Sequence, residues 1–367
     1  MDVTTSVYDH ATFMFPSYDN NTRMTLRDFL VGFEQIARPI VMFQTYFSIF
    51  GIIVTIVHLI ILTRKSMMTS SIISIMVGIA ICDLVAMIAT IEASSGMFDT
   101  DGTDCAPPMT YIAVKCFWSF VTIRDFVRRS STWLGVLMAL IRFLVIKRPM
   151  FHSFSEVKFG FKAIVACFLI SLPLSIIYYF RYDMVVESTW RPMSHCKNIP
   201  LDTELPVTSQ KVSEFAKLYD GKIMKVYMFF NGIVSKLIPC ILLPLLTFLL
   251  ILELRKAEIV RKASHTNQKS KTEKTTGLVI FMAICFFIVE LPIGTSTAFQ
   301  FIYTDWGFLY LATYVTHLCN AIFVVNSTAH CLICFLMSSQ YRTVVLKFLN
   351  IVLTQKPAKA STISVQM

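Results

Sequence analysis

Charged residues are scarce in this 367-residue chain, and glycine is modest. Asp, Glu, Lys and Arg together make up 15% of the residues, whereas a soluble globular domain carries about 25%. With only 12 glycines, the chain is neither collagenous nor of low complexity. Hydrophobic residues fill 55% of the sequence, and the mean hydropathy is +0.63. This balance excludes an ordinary soluble domain and predicts a membrane protein.

Strand-like alternation of apolar and polar residues is also absent, which excludes a transmembrane β-barrel. A membrane-spanning helix needs roughly 20 mostly apolar residues, and seven stretches of the chain meet that need. They run over about residues 39–63, 71–93, 111–146, 161–180, 223–253, 276–301 and 307–337. The sequence therefore predicts an all-α membrane protein, a seven-transmembrane helix bundle over residues 39–337.

No cleavable signal peptide is recognisable, because the segment MDVTTSVYDH is acidic and polar. The first span is then expected to act as an anchor that exports residues 1–38. The loops after spans one, three and five are rich in Lys and Arg, and the loop after span two has none. The positive-inside rule therefore predicts a multi-pass plasma-membrane protein with its N-terminus extracellular and its C-terminus cytoplasmic. Asn20, in the sequon Asn20-Asn21-Thr22 of the exported segment, is a candidate glycosylation site.

The formal net charge of +10 belongs mostly to the predicted cytoplasmic segments. Residues 254–275 form a basic third intracellular loop, of a kind that attracts anionic lipid of the bilayer. No basic face is interleaved with aromatic residues on a soluble element, so nucleic acid is not predicted as a partner. Residues 338–353 are amphipathic and predict an interfacial eighth helix, and residues 354–367 form a short cytoplasmic tail.

The cysteines have no paired spacing with histidines of the kind that zinc sites show, so no metal site is predicted. Cys105 and Cys196 lie in the predicted extracellular loops, where oxidation is permitted. A disulfide between them is one prediction, and Cys116 is the rival partner for Cys196. No set of nucleophile, base and oxyanion-stabilising groups occurs together, so the chain is not predicted to be an enzyme, and no cofactor is predicted.

The third span carries charges that a lipid-facing helix would not tolerate. Arg124, Asp125, Arg128 and Arg142 all lie within it, and a charge near the bilayer centre costs about 2.5–3.5 kcal/mol on insertion scales. Arg124 and Arg142 are eighteen residues apart, which is about five helical turns and places them on one face. This face should therefore look into the bundle interior, with Arg124 and Arg128 in an outer cavity and Arg142 in a cytoplasmic crevice.

A carboxylate is needed to balance these cations inside the membrane. Glu290 stands two residues before Pro292 in the sixth span, where a proline permits a kink. It is a natural partner for Arg128 or Arg124. Two roles stay open for these residues: a structural ion pair between helices, or a ligand pocket formed by Arg124, Asp125, Arg128 and Glu290.

Five stretches carry a family resemblance, in the order ICDLVAM, RRSSTWLGVLMALIRFLVIKRP, LLILELRKA, FFIVELPIG and NSTAHCLICFLMSSQYR. Together they make the chain similar to a rhodopsin-type G-protein-coupled receptor. More narrowly, the chain resembles the nematode serpentine chemoreceptors of class W, relatives of the FMRFamide-type neuropeptide receptors. The resemblance covers nearly the whole membrane portion and implies a heterotrimeric G protein as partner.

The resemblance also implies roles for particular residues. Arg142, Ile146 and Pro149 match the motif that meets the G protein. A second group matches the switch residues and the polar cluster in mid-membrane, where some relatives hold a sodium ion near the helix-two aspartate: Asp83, Ser131, Phe286, Pro292, Asn326, Ser327 and His330. Arg124 falls where amine receptors keep the aspartate that binds their ligand. The chain departs from the pattern at Ile141 and Phe143, which replace the acid and the tyrosine around the motif arginine, and at Glu290, which replaces a tryptophan.

The arginine at the amine-binding position, Arg124, argues against a cationic ligand, because a planar guanidinium group binds carboxylates. The prediction is a receptor for an extracellular peptide or small anionic ligand. The alternative is a transporter or ligand-gated channel that uses the buried Arg and Glu charges as a pathway, although no internal repeat supports it. A retinal protein is not predicted, because no lysine occurs in residues 307–337.

Overall fold

The computed structural model of the protein is a bundle of long helices. It describes residues 11–98, 105, 107–147, 152–192, 196, 200, 202–263, 270–300, 302–303 and 305–354. The helices are α1 (Asn20–Leu62), α2 (Ser71–Phe98), α3 (Tyr111–Lys147), α4 (Val157–Tyr179), α5 (Lys222–Gly232 and Ile238–Ala263, joined by a π-helical turn at Ile233–Leu237), α6 (Ser270–Phe299), α7 (Trp306–Met337) and α8 (Ser339–Thr354). Six of them are long and apolar enough to cross a membrane, and α6 adds the shorter apolar stretch Phe286–Phe299. The seven-helix membrane bundle with an eighth helix is thus confirmed.

Helix α1 begins at Asn20, well ahead of the start predicted near Pro39. The extension is helical because Leu26, Leu30, Phe33 and Ala37 recur at helical spacing and join one apolar cluster with the first turns of α7. Asp19 caps its first turn by accepting hydrogen bonds from the amide and the hydroxyl of Thr22. These bonds hold the pKa of the Asp19 carboxyl below its ordinary value.

The segment before α1 packs against the start of α7. Phe15 is 2% exposed, and a Cβ added at Gly307 would lie 2.1 Å from its ring, so only glycine leaves room for the phenylalanine. Ser17 donates to the carboxylate of Asp305 from its hydroxyl at 2.8 Å and from its amide at 3.2 Å. Arg23 donates to two carbonyls of the segment, which fixes its path.

The segment between α4 and α5 contains a β-hairpin, which the sequence analysis did not predict. Its strands are β1 (Tyr182–Trp190) and β2 (Leu205–Val212), paired antiparallel with an irregularity between Val186 and Ser188. The structure joins Cys105 to Cys196 in a disulfide, with Cα atoms 5.3 Å apart, and Cys116 is a free thiol. We call this end of the bundle, with the hairpin, the disulfide and the segment before α1, the hairpin end.

The predicted third loop, residues 254–275, is mostly helix. Helix α5 continues to Ala263 and α6 begins at Ser270, because the sequence between the spans lacks glycine and proline that would stop a helix. Residues 264–269 and residues 355–367, most of the predicted tail, lie outside the described residues.

The opposite end of the bundle is closed by α8, and we call it the helix-8 end. Tyr341 is 1% exposed, and its hydroxyl lies 2.7 Å from Nδ1 of His58 in α1 and 3.4 Å from the sulfur of Cys331 in α7. Gln340 donates a hydrogen bond to the carbonyl of Ser66, between α1 and α2. Helix α8 is therefore attached to α1 and α7.

Candidate functional site: a charge network inside the bundle

Arg128 connects three helices through its guanidinium group. Its side chain is 6% exposed, and one nitrogen donates to Glu290 of α6 at 2.7 Å. A second nitrogen donates to the amide oxygen of Asn320 in α7, and the group lies 4.7 Å from the centre of the Phe323 ring. The sequence left Arg124 and Arg128 as possible partners of Glu290, and in the structure Glu290 pairs with Arg128. Glu290 lies two residues before Pro292, inside α6.

Asp125 forms a second set of ion pairs on the neighbouring side of α3. It pairs with Arg129, one turn further along the same helix, and with Lys236 of the π-helical turn at 3.5 Å. Arg129 also donates to the carbonyl of Ser171 and to the hydroxyl of Ser175, both at 3.0 Å. Through these contacts α3 is connected to α4 and α5.

Arg124, unlike its neighbours Arg128 and Arg129 in α3, forms no ion pair with a described carboxylate. Its Nη1 atom is buried and has no hydrogen-bond partner among the described residues, and no carboxylate of the described part of the chain pairs with it. His317 of α7 lies within electrostatic range, and its Nδ1 atom is also buried without a partner there. We call Arg124, Arg128, Arg129, Lys236, Asp125 and Glu290 the interior charge network.

A cavity of about 320 Å³ opens at the hairpin end. Its walls are mostly aromatic and come from the segment before α1, the hairpin and the start of α7: Phe13, Tyr182, Gln210, Trp306 and Tyr310. Phe13 and Trp306 stack with ring centres 6.5 Å apart. The hydrogen bonds of Ser17 to Asp305 thus help to position the segment before α1, which forms one wall of this cavity.

The mid-membrane polar cluster forms only in part. Asp83 accepts a hydrogen bond from Ser131 at 3.0 Å, and its other oxygen lies 3.3 Å from Nδ1 of His330. Asn326 and Ser327 do not join them: their side-chain oxygens are buried without a partner in the part of the chain that the structure describes. The residue of α7 that contacts the carboxylate is His330, one turn further along the helix.

This arrangement fits a sodium ion poorly. Hard cations take oxygen ligands, and the described contacts of Asp83 bring it one hydroxyl and one imidazole nitrogen. The cluster instead joins α2 to α3 by a hydrogen bond and brings the imidazole of His330 in α7 against the same carboxylate.

The residues matched to the G-protein motif lie towards the helix-8 end of α3. Arg142 is half-buried with Cys334 of α7 within electrostatic range, and no described carboxylate pairs with it. Ile146 is 37% exposed. Pro149 lies outside the described residues. On α6, Phe286 is half-buried.

Sequence reasoning missed three members of the site. Lys236 was counted as part of an apolar span, and Asn320 and Phe323 were not singled out. A signal existed for Lys236, because a lysine within an apolar span is costly and therefore a functional candidate. Asn320 is likewise a polar residue inside an apolar run, whereas nothing in the sequence distinguishes Phe323 from the other phenylalanines.

Seven membrane helices around an interior charge network, with an eighth helix across one end, are the architecture of a G-protein-coupled receptor. The family model described as Serpentine type 7TM GPCR chemoreceptor Srw matches residues 42–352, from within α1 to within α8. The chain belongs to this family, which is a receptor family and not an enzyme family, and the resemblance noted above is confirmed. No curated protein matches the chain.

Proposed function

We propose that this receptor binds an extracellular ligand that carries an anionic group, and that Arg124 holds that group. The observation that carries the proposal is the charge balance of the interior charge network. It contains four basic side chains against two carboxylates, an excess of two positive charges in a part of the bundle where charge is costly. Arg124 is partly buried, and its Nη1 atom is buried without a partner among the described residues. An unpaired charge in such a place is costly, so an anion that reaches it gains affinity.

A peptide is the ligand class that suits the rest of the proposed path. The aromatic cavity lies at the hairpin end, between the segment before α1, the hairpin and the start of α7. A ligand that fills this cavity and also reaches Arg124 is larger than a simple carboxylic acid. Its carboxylate, from a chain terminus or an acidic side chain, would meet the guanidinium group.

Signal transmission would use α6. Arg128 connects α3 to Glu290, next to Pro292, so a ligand that alters this contact changes the equilibrium between two positions of α6. Ligand binding shifts that equilibrium only by binding the signalling state more tightly. Movement of α6 would open the helix-8 end around Arg142 and admit the G protein.

The orientation of the receptor can be tested at Asn20, which is exposed in the first turn of α1. If the hairpin end is extracellular, the receptor from cells should carry a glycan on Asn20, and a peptide N-glycosidase should increase its electrophoretic mobility. Asn20→Gln should abolish the change, whereas Thr22→Ser keeps the sequon and should preserve it. A wild-type receptor insensitive to the glycosidase would contradict the proposed glycosylation.

The proposed ligand class is tested by a cell-based screen of G-protein activation with acidic peptides, their neutral amides and small carboxylates. We expect an acidic compound to activate the wild-type receptor. Arg124→Met should raise its half-maximal concentration by roughly tenfold or more, because a charged hydrogen bond contributes about 1.5–3 kcal/mol. Arg124→Lys, which keeps the charge, should raise the half-maximal concentration less.

Two controls separate binding from signalling in this screen. Arg142→Ala should abolish the response without changing the affinity for the active compound, measured at equal surface level. Activation by cationic or neutral compounds alone, with no effect of Arg124→Met, would refute the anionic ligand and leave the receptor assignment intact.

A further inference from the structure

The π-helical turn of α5 brings a second cation into the bundle. π-Helical turns are rare and are frequent at functional sites. Here the turn at Ile233–Leu237 follows Gly232, where an added Cβ would lie 2.7 Å from the backbone nitrogen of Ala298 in α6. Helix α5 therefore packs directly on the α6 backbone at this point. Lys236, within the turn, is 6% exposed.

The hydrogen-bonding capacity of Lys236 is only partly used. An ammonium group has three donors, and the ion pair that the described residues give it is with Asp125 at 3.5 Å, long for a charge-assisted bond. Arg129 holds the same carboxylate more closely. Elsewhere in the same part of α5, the hydroxyl of Ser235 and the amide oxygen of Asn231 are buried without a partner among the described residues.

Lys236 and Arg124 lie on different sides of Asp125. Arg124 precedes Asp125 in α3, so the two side chains point about 100° apart around the helix, whereas Lys236 approaches Asp125 from α5. Arg124 and Lys236 are the two cations that leave the interior charge network with an excess of two positive charges. A single anionic group on a ligand would compensate one of them, and a second group is needed for the other.

We propose that Lys236 is a second anion anchor and that the ligand carries two anionic groups, one for Arg124 and one for Lys236. This inference rests on the proposed function, since it assumes an anionic ligand at Arg124. On binding, the ammonium group of Lys236 exchanges Asp125 for the second anionic group of the ligand. Asp125 stays paired with Arg129, so the exchange leaves no carboxylate without a partner.

The exchange would act directly on α6. A Cβ added at Gly294 would lie 3.0 Å from the Cβ of Lys236, so the stem of the lysine packs against α6 two residues beyond Pro292. A change in the partner of Lys236 shifts this stem where α6 is already able to bend. The second anchor thus gives the ligand a contact that differs between two positions of α6.

The first test needs no ligand and uses the purified full-length receptor. Lys236→Met keeps the length of the side chain and removes a charge that is in excess, while Asp125 keeps Arg129. We expect its melting temperature to rise by roughly 2–4 °C, and Lys236→Arg to give no such rise. A fall in the melting temperature of Lys236→Met would show that Lys236 serves as a structural ion pair and would overturn the proposal.

The second test uses linear dicarboxylates of four to eight carbons, and their half-amides, as probes of thermal stabilisation. In the wild-type receptor at least one dicarboxylate should bind roughly tenfold more tightly than its half-amide. Lys236→Met should remove this preference, and Arg124→Met should weaken the binding of both compounds. Equal binding of the two compounds to the wild type overturns the second anchor but keeps the anionic ligand. Binding of neither compound to the wild type overturns the second anchor, whereas the anionic ligand at Arg124 is decided by the peptide screen above.

Discussion

Replacing Glu290 by glutamine is expected to remove most of the receptor from the cell surface. Glutamine has nearly the same shape, but it leaves the guanidinium group of Arg128, 6% exposed, without a counter-charge. Removing one partner of a buried ion pair costs about 3–5 kcal/mol, a large part of the 5–15 kcal/mol that stabilises a typical domain. The measurements are the surface level of an epitope-tagged receptor and the melting temperature of the protein in detergent.

The double variant Arg128→Met with Glu290→Gln is the matched control. It removes both charges and leaves apolar and neutral groups, so it should recover most of the surface level lost in Glu290→Gln, because replacing a whole buried pair is often nearly neutral. The coupling between the two sites is the measured quantity. If Glu290→Gln reaches the surface normally and loses only its response to an acidic ligand, the pair serves the ligand pocket and not the fold.

Gly160→Ala is the second change with a large expected effect. A Cβ there would lie 2.6 Å from the carbonyl oxygen of Ser71 and 2.6 Å from the Cβ of Ser74, so α4 and α2 would have to separate. Overpacking of this kind costs about 1–3 kcal/mol. The melting temperature of the purified receptor should fall by several degrees.

Gly135→Ala in α3 is the control, because nothing lies within 4 Å of a Cβ added at that glycine. Alanine favours a helix over glycine by about 1 kcal/mol, so this variant should be unchanged or slightly more stable. The two alanine variants should therefore shift the melting temperature in opposite directions. Equal shifts would contradict the close packing of α4 on α2.

Hydropathy and charge were enough to predict the helices and the interior position of the charged face of α3. The cost of charge in lipid restricts where Arg128 and Glu290 can lie, whatever the details of packing. The choice among partners was not predictable, because it depends on how neighbouring helices are placed. Arg124 and Arg128 both suited Glu290, and the structure pairs it with Arg128 alone of the two.

Three features lay beyond sequence reasoning for separate physical reasons. Lys236 enters the network because of a π-helical turn, and periodicity arguments assume regular α-helix. The two strands of the hairpin have no regular alternation of apolar and polar residues, so no strand pattern distinguishes them in the sequence. The early start of α1 depends on apolar contacts with α7, which are distant in sequence and invisible to a local pattern.

The place of Phe15 beside Gly307 has a consequence for biosynthesis. The phenylalanine leaves the ribosome before α1, but the space beside Gly307 that buries it belongs to α7, the seventh span. Until α7 enters the membrane, Phe15 and the apolar stripe of α1 that faces α7 lack their partners. The hairpin end is therefore completed only after α7 has been made, and a nascent receptor arrested before α7 would present these apolar side chains to quality control.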